Sequence, residues 1–316
     1  MTEDKTKEFV FHKYTKIKQL GDEENKYIFS NPDDIIVIEE KVDGANFRFF
    51  IHKDNYLVFG SHGRELSEGE HTEKAWRKCI EFIKSKLNNE SVLINSEYKN
   101  KIFYGECMIK HSLDYDWERI PAILMFDILD TITGKFIDNK NAIFDDLNLP
   151  KIPFIKTCFA GKIGNIDDSA VPDSVYTPIH AEDKKAEGIV FKNYKTQIFA
   201  KYVRAKFKEV NKQAFGGHKK FANNDDELVV ATYCTNARID KCIFKLSDEG
   251  MQLSKIMMTK LPMMVWNDII EENYKDIFNT RYRIDLGEIK KLIAKRCLAV
   301  LDQVITNNAI YNGDVK

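Results

Sequence analysis

The segment from residue 35 to residue 46 decides the fold and reads IIVIEEKVDGAN. Its first four residues are apolar and β-branched, which is typical of a buried β-strand. Asp43 and Gly44 form a turn signal, and the apolar run Phe47–Ile51 after it predicts a further strand. The pattern therefore places Lys41 at the end of a strand, beside a glycine turn that a bound molecule can approach closely.

Lys41 is a candidate nucleophile, and its chemistry depends on its charge. A lysine with an ordinary pKa of about 10.4 is almost wholly protonated at neutral pH, so a nucleophilic lysine needs a lowered pKa. Nearby cations and partial burial both disfavour the ammonium form. We therefore expect further positive charge beside Lys41. Lys192 and Lys201, which lie in two later strands, are the candidates because both could face one phosphate as point charges.

The chain around this segment is expected to form an α+β domain. Alternating or continuous apolar runs predict short strands at 35–38, 47–51, 56–59, 102–108, 122–129, 188–191 and 197–203. The helical spacing of apolar residues predicts one helix over 72–87. Strands separated by turns, with few helices, favour a largely antiparallel sheet.

A second, all-helical domain is predicted after residue 225. Pro262 suits the first turn of one helix, and Asp285 with Glu288 forms a capping box at the start of another. The polar, glycine-containing stretch 216–226 is the expected boundary. The predicted domains are therefore 1–220 and 226–316.

The composition indicates a globular protein, since 43% of the 316 residues are hydrophobic and 31% are charged. No run approaches the roughly 18 apolar residues that a membrane helix needs, and the charged residues 1–5 lack the pattern of a signal or transit peptide. We therefore expect a cytoplasmic protein without a membrane partner. Its six cysteines are expected to be reduced and mostly buried.

The net charge of −1 does not by itself indicate a nucleic-acid partner. The distribution of charge is more informative, because residues 184–220 contain eleven Lys or Arg and two Glu. Such a basic band suits contact with phosphates, and it equally suits a solvated surface face.

Five short motifs follow one another along the chain, and their order resembles that of a known family. They are Lys-x-Asp-Gly-x-Asn at 41–46, Phe-Tyr-Gly-Glu at 103–106, Phe-Asp at 126–127, Glu-Gly-Ile-Val-Phe-Lys at 187–192 and Ala-Lys-Tyr at 200–202. The set is similar to that of the covalent nucleotidyltransferases, which are polynucleotide ligases and mRNA capping enzymes. It looks most like the RNA ligase 2 branch, which includes the T-even phage enzyme and the kinetoplastid RNA-editing ligases. The likeness runs from about Lys13 to the segment 228–238.

This resemblance implies a fold and a reaction. The fold would be a nucleotidyltransferase domain of the ligase type, related to ATP-grasp proteins, built on antiparallel sheets and followed by a small helical domain. Lys41 would attack the α-phosphorus of ATP and become lysyl-AMP. The AMP would pass to an RNA 5′-phosphate, and a 3′-hydroxyl would then displace it. The reaction would need Mg²⁺ or Mn²⁺, and positioning with charge neutralisation would supply most of the catalysis.

The resemblance also implies a role for each motif residue that contacts the nucleotide. Phe126 would stack on adenine, and Glu106 would accept a hydrogen bond from a ribose hydroxyl. Glu40 occupies the position at which the backbone of the family's members contacts the edge of the base. Asn46 and Arg64 match polar positions near the nucleotide and the incoming RNA end. Arg64 fits its motif only approximately.

Three further positions would handle phosphate and metal. Lys192 and Lys201 would bind the α-phosphate and lower the pKa of Lys41. Glu187 would lie near the divalent cation, which needs few protein ligands because Mg²⁺ keeps several waters.

Two departures from the family pattern concern Asp43 and Val203. The phage relative has histidine in the place of Asp43, whereas aspartate is common in the wider superfamily. The last motif usually reads Lys-x-Lys, but Val203 takes the place of the second lysine. Arg204 or Lys206 is the expected substitute for its phosphate contact.

Two other functions fit part of the pattern. A capping guanylyltransferase or a DNA ligase would share the Lys41 motif, but both normally carry an OB-fold barrel where this chain predicts helices. A non-catalytic RNA-binding module on a decayed ligase fold is the alternative outside enzymes. The motifs leave open whether the RNA is a nicked duplex, a broken tRNA loop or a single strand.

Overall fold

A computed structural model describes residues 12–66, 74–108, 115–204, 225–279 and 284–311. The chain divides into two compact units, Met1–Arg204 and Ala205–Lys316. The first unit combines two sheets with short helices, and the described part of the second contains helices only. The predicted α+β class with a helical C-terminal region is therefore confirmed. Most of the stretch 216–226, where the boundary is predicted, lies outside the described residues.

The first sheet has five strands and contains residues 35–41. Its members are β1 (Lys18–Gln19), β2 (Ile35–Lys41), β9 (Phe154–Phe159), β10 (Gly188–Asn193) and β11 (Ile198–Val203). Their order is β1-β11-β10-β2-β9. All neighbours pair antiparallel except β1 with β11.

The second sheet has six strands and is antiparallel throughout. Its members are β3 (Ala45–Ile51), β4 (Leu57–Ser61), β5 (Glu65–Leu66), β6 (Lys101–Cys107), β7 (Ile123–Asp130) and β8 (Lys135–Phe136). Their order is β5-β4-β3-β6-β7-β8. Strands β1, β5, β8 and β9 have no counterpart in the sequence prediction, because three of them are only two residues long and β9 is largely exposed.

The turn between β2 and β3 carries the chain from one sheet to the other. It is therefore not a hairpin turn, although Asp43 and Gly44 form a hairpin signal in the sequence. A Cβ atom on Gly44 would lie 2.5 Å from the carbonyl oxygen of Cys107 and 2.8 Å from Cγ of Glu106. Glycine is needed here because the turn presses against β6.

One face of the first sheet is buried in an apolar core, whereas strands β3, β6 and β7 of the second sheet are buried on both faces. In the first sheet, Ile36 and Ile38 pack with Ile189 and Phe191. In the second sheet, Phe47 of β3 stacks on Trp76 of the helix α1 (Lys74–Leu87) and also contacts Phe59 of β4. Two shorter helices complete the described part of this unit, namely α2 (Glu90–Leu93) and α3 (Lys140–Asp146).

The C-terminal unit has four described helices around its own core. They are α4 (Asp225–Tyr233), α5 (Asn236–Asp248), α6 (Leu261–Asn279) and α7 (Leu286–Tyr311). The Asp285 half of the predicted capping box is confirmed, because Asp285 accepts from the backbone amides of Gly287 and Glu288 at 2.7 and 3.1 Å. The amide of Asp285 itself donates to Oδ1 of Asp226 at 2.6 Å, where the box would have the Glu288 side chain. None of the helices described is both long and apolar enough to cross a membrane. All six cysteines are free thiols, and five of them are buried, as expected.

Candidate active site

The register of β2 with β10 brings Lys41 and Glu187 together. Gly188 pairs with Lys41, so Glu187 lies next to the end of β2. The Nζ atom of Lys41 donates to Oε2 of Glu187 at 2.5 Å, and the side chains are 24% and 8% exposed. A Cβ atom on Gly188 would lie 2.0 Å from the carbonyl oxygen of Tyr202, so only glycine allows this approach of β10 to β11. The sequence had predicted both residues for the site, and the structure joins them directly.

The electrostatics of this pair differ from the expectation for Lys41. Burial alone would lower the pKa of Lys41, but the charge of Glu187 and its hydrogen bond raise the pKa above the ordinary value. Glu106 and Asp43 raise it further. The prediction that neighbouring cations lower this pKa is therefore wrong for this arrangement, because carboxylates surround the amine. Burial in turn raises the pKa of Glu187, against the lowering effect of Lys41.

Glu106 and Asn46 form a second pair close to Lys41. They are directly opposite each other on β6 and β3, so their side chains leave the sheet on the same side. Burial raises the pKa of Glu106 to about 8, although Lys41 acts to lower it. The Oδ1 atom of Asn46 is buried and accepts no hydrogen bond within the described residues. Arg64 lies in the turn after β4, where its backbone amide donates to Oγ of Ser61 at 3.2 Å.

Phe126 is aimed by a β-bulge in β7. Tyr104 pairs with Asp127 and Gly105 with Met125, so Phe126 is the extra residue between them. Its ring is 8% exposed, meets Tyr14 edge-on with centroids 4.8 Å apart, and has Nζ of Lys192 5.4 Å from its centroid. The structure thus brings Phe126 and Lys192 together.

Glu40 lies next to Lys41 in sequence but on the opposite face of β2, because strand side chains alternate. It is 2% exposed, and its backbone amide donates to the Pro153 carbonyl at 2.9 Å. Burial raises the pKa of Glu40 to about 7, against the lowering effect of a hydrogen bond with Ser174. Any contact of Glu40 on the Lys41 side would thus involve its backbone.

A family model for RNA ligase matches residues 34–208, which is more than half of the chain. The chain belongs to the RNA ligase family. The matched region begins one residue before β2, and it contains Lys41, Glu106, Phe126 and Glu187. A comparison with curated protein sequences gives no match.

Among solved structures, the chain is similar to RNA ligase from Naegleria gruberi. Against that enzyme with pyrophosphate, the identity is 18% and the TM-score 0.45, over 63% of this chain and 57% of the other. Against a lysine-to-alanine variant with ATP and manganese, the identity is 18% and the TM-score 0.43, over 62% and 57%. The chain therefore spans about 57% of the length of these two structures.

Lys192 belongs to a buried charge cluster made of Glu39, Asp127, Lys140 and Lys192. Its Nζ atom lies 2.6 Å from Oε2 of Glu39 and 2.8 Å from Oδ2 of Asp127. Lys140 lies 2.7 Å from Glu39 and 3.4 Å from Asp127, so two positive charges face two negative ones. Both lysines also donate to the carbonyl oxygen of Phe126.

This position differs from the expected one beside Lys41, and the phosphate role of Lys192 stays a prediction. Lys192 pairs with Val37, four residues along β2 from Lys41, which corresponds to about 13 Å along a strand. Its amine is 2% exposed and its charge is already balanced. Lys192 therefore joins the two sheets behind Phe126 and does not lie beside the Lys41 amine.

We expect Lys192→Met to lower the free energy of unfolding by about 3 kcal/mol, because it leaves buried carboxylates short of one partner. Urea denaturation measures this loss. The control is Lys135→Met on the exposed end of β8, which should change stability by about 0.5 kcal/mol or less. A fully stable Lys192→Met protein that cannot bind ATP would instead support the phosphate role.

The remaining phosphate candidates have different outcomes. Lys201 pairs with Val190 on the Lys41 face of the sheet, and its charge acts to lower the pKa of Glu187. Arg204 is 4% exposed and donates to the carbonyls of Ala186 and Lys185 and to Asp183. Its replacement of the second lysine stays a prediction, while in the structure its guanidinium holds the segment before Glu187. Lys206 lies outside the described residues.

Two groups of site residues escaped the sequence reasoning. Lys140 has no motif around it, and only the fold brings it to Asp127. Tyr115 accepts a hydrogen bond from the Asp43 amide at 2.9 Å, although it lies in a loop without any periodic pattern. The only available signal was the aromatic pair Tyr115 and Trp117 in a polar stretch.

Proposed function

We propose that this member of the RNA ligase family is an ATP-dependent RNA ligase that forms a lysyl-AMP intermediate on Lys41. The observation that supports the proposal most strongly is the 2.5 Å contact of Lys41 with Glu187 inside the matched region, with Glu106 and Asp43 close enough to affect the same amine. A carboxylate hydrogen-bonded to the amine holds it as the ammonium and is also placed to accept its proton when the amine reacts.

In the first step, Nζ of Lys41 forms a bond to the α-phosphorus of ATP. The bond from that phosphorus to the bridging oxygen breaks, and pyrophosphate leaves. The ammonium proton must be lost first, and Glu187 is hydrogen-bonded to it. Because burial raises the pKa of Glu187, its carboxylate is a better proton acceptor than an exposed one.

In the two later steps, the oxygen of an RNA 5′-phosphate displaces Lys41 from AMP, and a 3′-hydroxyl then displaces AMP. Each step breaks one bond at phosphorus and forms another, so positioning and charge neutralisation supply the catalysis. We assign Lys201 to phosphate, since it lies on the Lys41 face of the sheet next to Glu187.

We assign the nucleoside to the second sheet. Phe126 would stack on adenine. The bulge leaves Phe126 without a partner on β6 and so changes the direction of its side chain. Glu106 would accept from a ribose hydroxyl, and Asn46 has a buried oxygen available for a donor. Arg64 and the backbone at Glu40 remain proposed contacts at the edge of this site.

Glu187 is the proposed ligand of Mg²⁺ or Mn²⁺. The carboxylates there suit such an ion, because Mg²⁺ keeps several waters and takes only one or two protein carboxylates. In the described part of the chain, no group of three or more ligand side chains forms a denser site. When bound, the cation would supply neutralisation of phosphate charge.

The proposed RNA substrate carries a 5′-phosphate and a 3′-hydroxyl. We place the chain in the RNA ligase 2 branch because of its motif order and the four helices of its second unit. The helices also disfavour the capping enzyme and DNA ligase alternatives, which would have an OB-fold barrel.

The test is to incubate the wild-type protein with α-labelled ATP or GTP and Mg²⁺, and then to measure label on the denatured protein. We expect label from ATP and at least about 10-fold less from GTP. Equal or preferential labelling by GTP would favour the capping reaction, and no label from either would contradict the proposal. Labelled protein should then seal an RNA nick, and release of AMP without sealing would contradict the assignment to RNA.

A further inference from the structure

Tyr115 connects three segments that carry the proposed chemistry. It is 2% exposed and lies in an apolar cluster with Val42, Met108 and Leu124. Val42 follows Lys41 directly, Met108 comes two residues after Glu106, and Leu124 comes two residues before Phe126. The tyrosine ring therefore packs where the strands that bear all three residues come together.

The hydroxyl of Tyr115 holds the turn after Lys41. The backbone amide of Asp43 donates to the hydroxyl oxygen at 2.9 Å. The next residue, Gly44, is pressed against β6, where a Cβ atom would meet the Cys107 carbonyl at 2.5 Å. The turn is thus fixed by a hydrogen bond at one residue and by close packing at the next.

The loop that carries Tyr115 is itself anchored to the segment leading to Glu187. The amide of Asp116 donates to the carbonyl of Tyr176 at 2.7 Å, and Tyr176 packs against the same apolar cluster. From there, Ser174 donates its amide to the carbonyl of Lys184 at 2.7 Å. Tyr115 therefore contacts the turn after Lys41, and its loop is tied by backbone hydrogen bonds to the segment that precedes Glu187.

The phenol keeps its proton in these surroundings. Burial raises the pKa of Tyr115; the hydrogen bond from Asp43 acts to lower it, while the charges of Asp43, Glu187 and Glu40 add to the rise. A neutral hydroxyl remains an acceptor for a single backbone amide and brings no further charge to the carboxylates.

We propose that Tyr115 is a positioning residue for Lys41: it fixes the turn 42–44 so that the amine at the end of β2 points at the bound nucleotide. This inference rests on the proposed ligase function. Removing the hydroxyl takes this acceptor away from the partly buried Asp43 amide, and the turn can then shift. Displacement of a reacting group by about 1 Å is enough to slow a reaction strongly.

The test is Tyr115→Phe, which removes the hydroxyl and keeps the ring. In single-turnover labelling with α-labelled ATP, we expect the rate constant at saturating ATP to fall roughly 10-fold. The ATP concentration giving half of the maximal rate should change by less than about 2-fold, because Tyr115 is not a nucleotide contact.

The matched control is Tyr98→Phe. Tyr98 is also buried, at 4% exposure, and its hydroxyl donates to Asp146. We expect its rate constant to stay within about 2-fold of wild type. A wild-type rate for Tyr115→Phe would overturn the proposal, and so would equal rate losses in both variants accompanied by equal losses of thermal stability. If wild-type protein takes no label at all, the ligase proposal fails and this inference fails with it. If wild-type protein is labelled, the ligase proposal stands, and the rate of Tyr115→Phe then tests the positioning role alone.

Discussion

Replacing Lys41 by arginine is expected to abolish transfer of label from α-labelled ATP to the protein, lowering the rate of lysyl-AMP formation at least about 10⁴-fold. Arginine keeps a positive charge opposite Glu187, so the buried carboxylate retains a partner. A guanidinium stays protonated under all working conditions and cannot attack phosphorus. The loss would therefore report the missing nucleophile and not a damaged fold.

The measurement is label on the denatured protein after a fixed time, with thermal unfolding of each variant run in parallel. Lys135→Arg, on the exposed strand β8, is the control and should label like wild type. Mapping the label to a peptide identifies the modified residue. Label on Lys41→Arg protein, or on a peptide that does not contain residue 41, would remove Lys41 from its role.

Glu187→Gln is expected to have two effects of opposite sign on Lys41. Adenylylation should fall about 10³-fold, because the variant lacks both the proton acceptor and the proposed metal ligand. The pKa of Lys41 without nucleotide should fall as well, since the charge of Glu187 is what raises it. A lower pKa means more neutral amine at a given pH, so Lys41 should react faster with an amine-selective acylating reagent.

The two effects are measured separately. Acylation of Lys41 at a fixed, mildly alkaline pH, followed by peptide mass spectrometry, gives a rate that is proportional to its fraction of neutral amine, and Lys135 in the same digest is the internal reference. Glu118→Gln, an exposed change elsewhere in the unit, is the control and should leave both readouts unchanged. An acylation rate of Lys41, relative to Lys135, that stays unchanged or falls in Glu187→Gln would contradict the assigned electrostatics.

The match between sequence and structure is best where the chemistry is local. The strand before Lys41, the helix over 74–87 and the Asp285 cap depend on apolar spacing and on side chains a few residues apart, and all three are present. Glu187 was assigned to the site by its motif, and the strand register then places it against Lys41.

The differences from expectation concern charged residues, because the interactions of a charge depend on every neighbour in space. The expectation for Lys192 treated it as a cation beside a phosphate. Two buried carboxylates, Glu39 from β2 and Asp127 from the other sheet, take up its charge instead. The same reason applies to Arg204, whose guanidinium donates hydrogen bonds to carbonyls of the segment before Glu187. The spacing of residues along the chain does not predict these partners.

The sequence by itself determined the family, the α+β class and the residue at the centre of the proposed chemistry, because a strand, a glycine turn and ordered motifs are properties of short segments. Only the tertiary structure decided that the turn after Lys41 leads from one sheet to the other and that Tyr115 accepts a hydrogen bond from this turn. It also decided that Lys41 is paired with Glu187, which raises the pKa of Lys41. Coulomb interactions depend on distance in space and burial depends on the surrounding atoms, and residues far apart in sequence become neighbours only when the strands pair and the sheets pack.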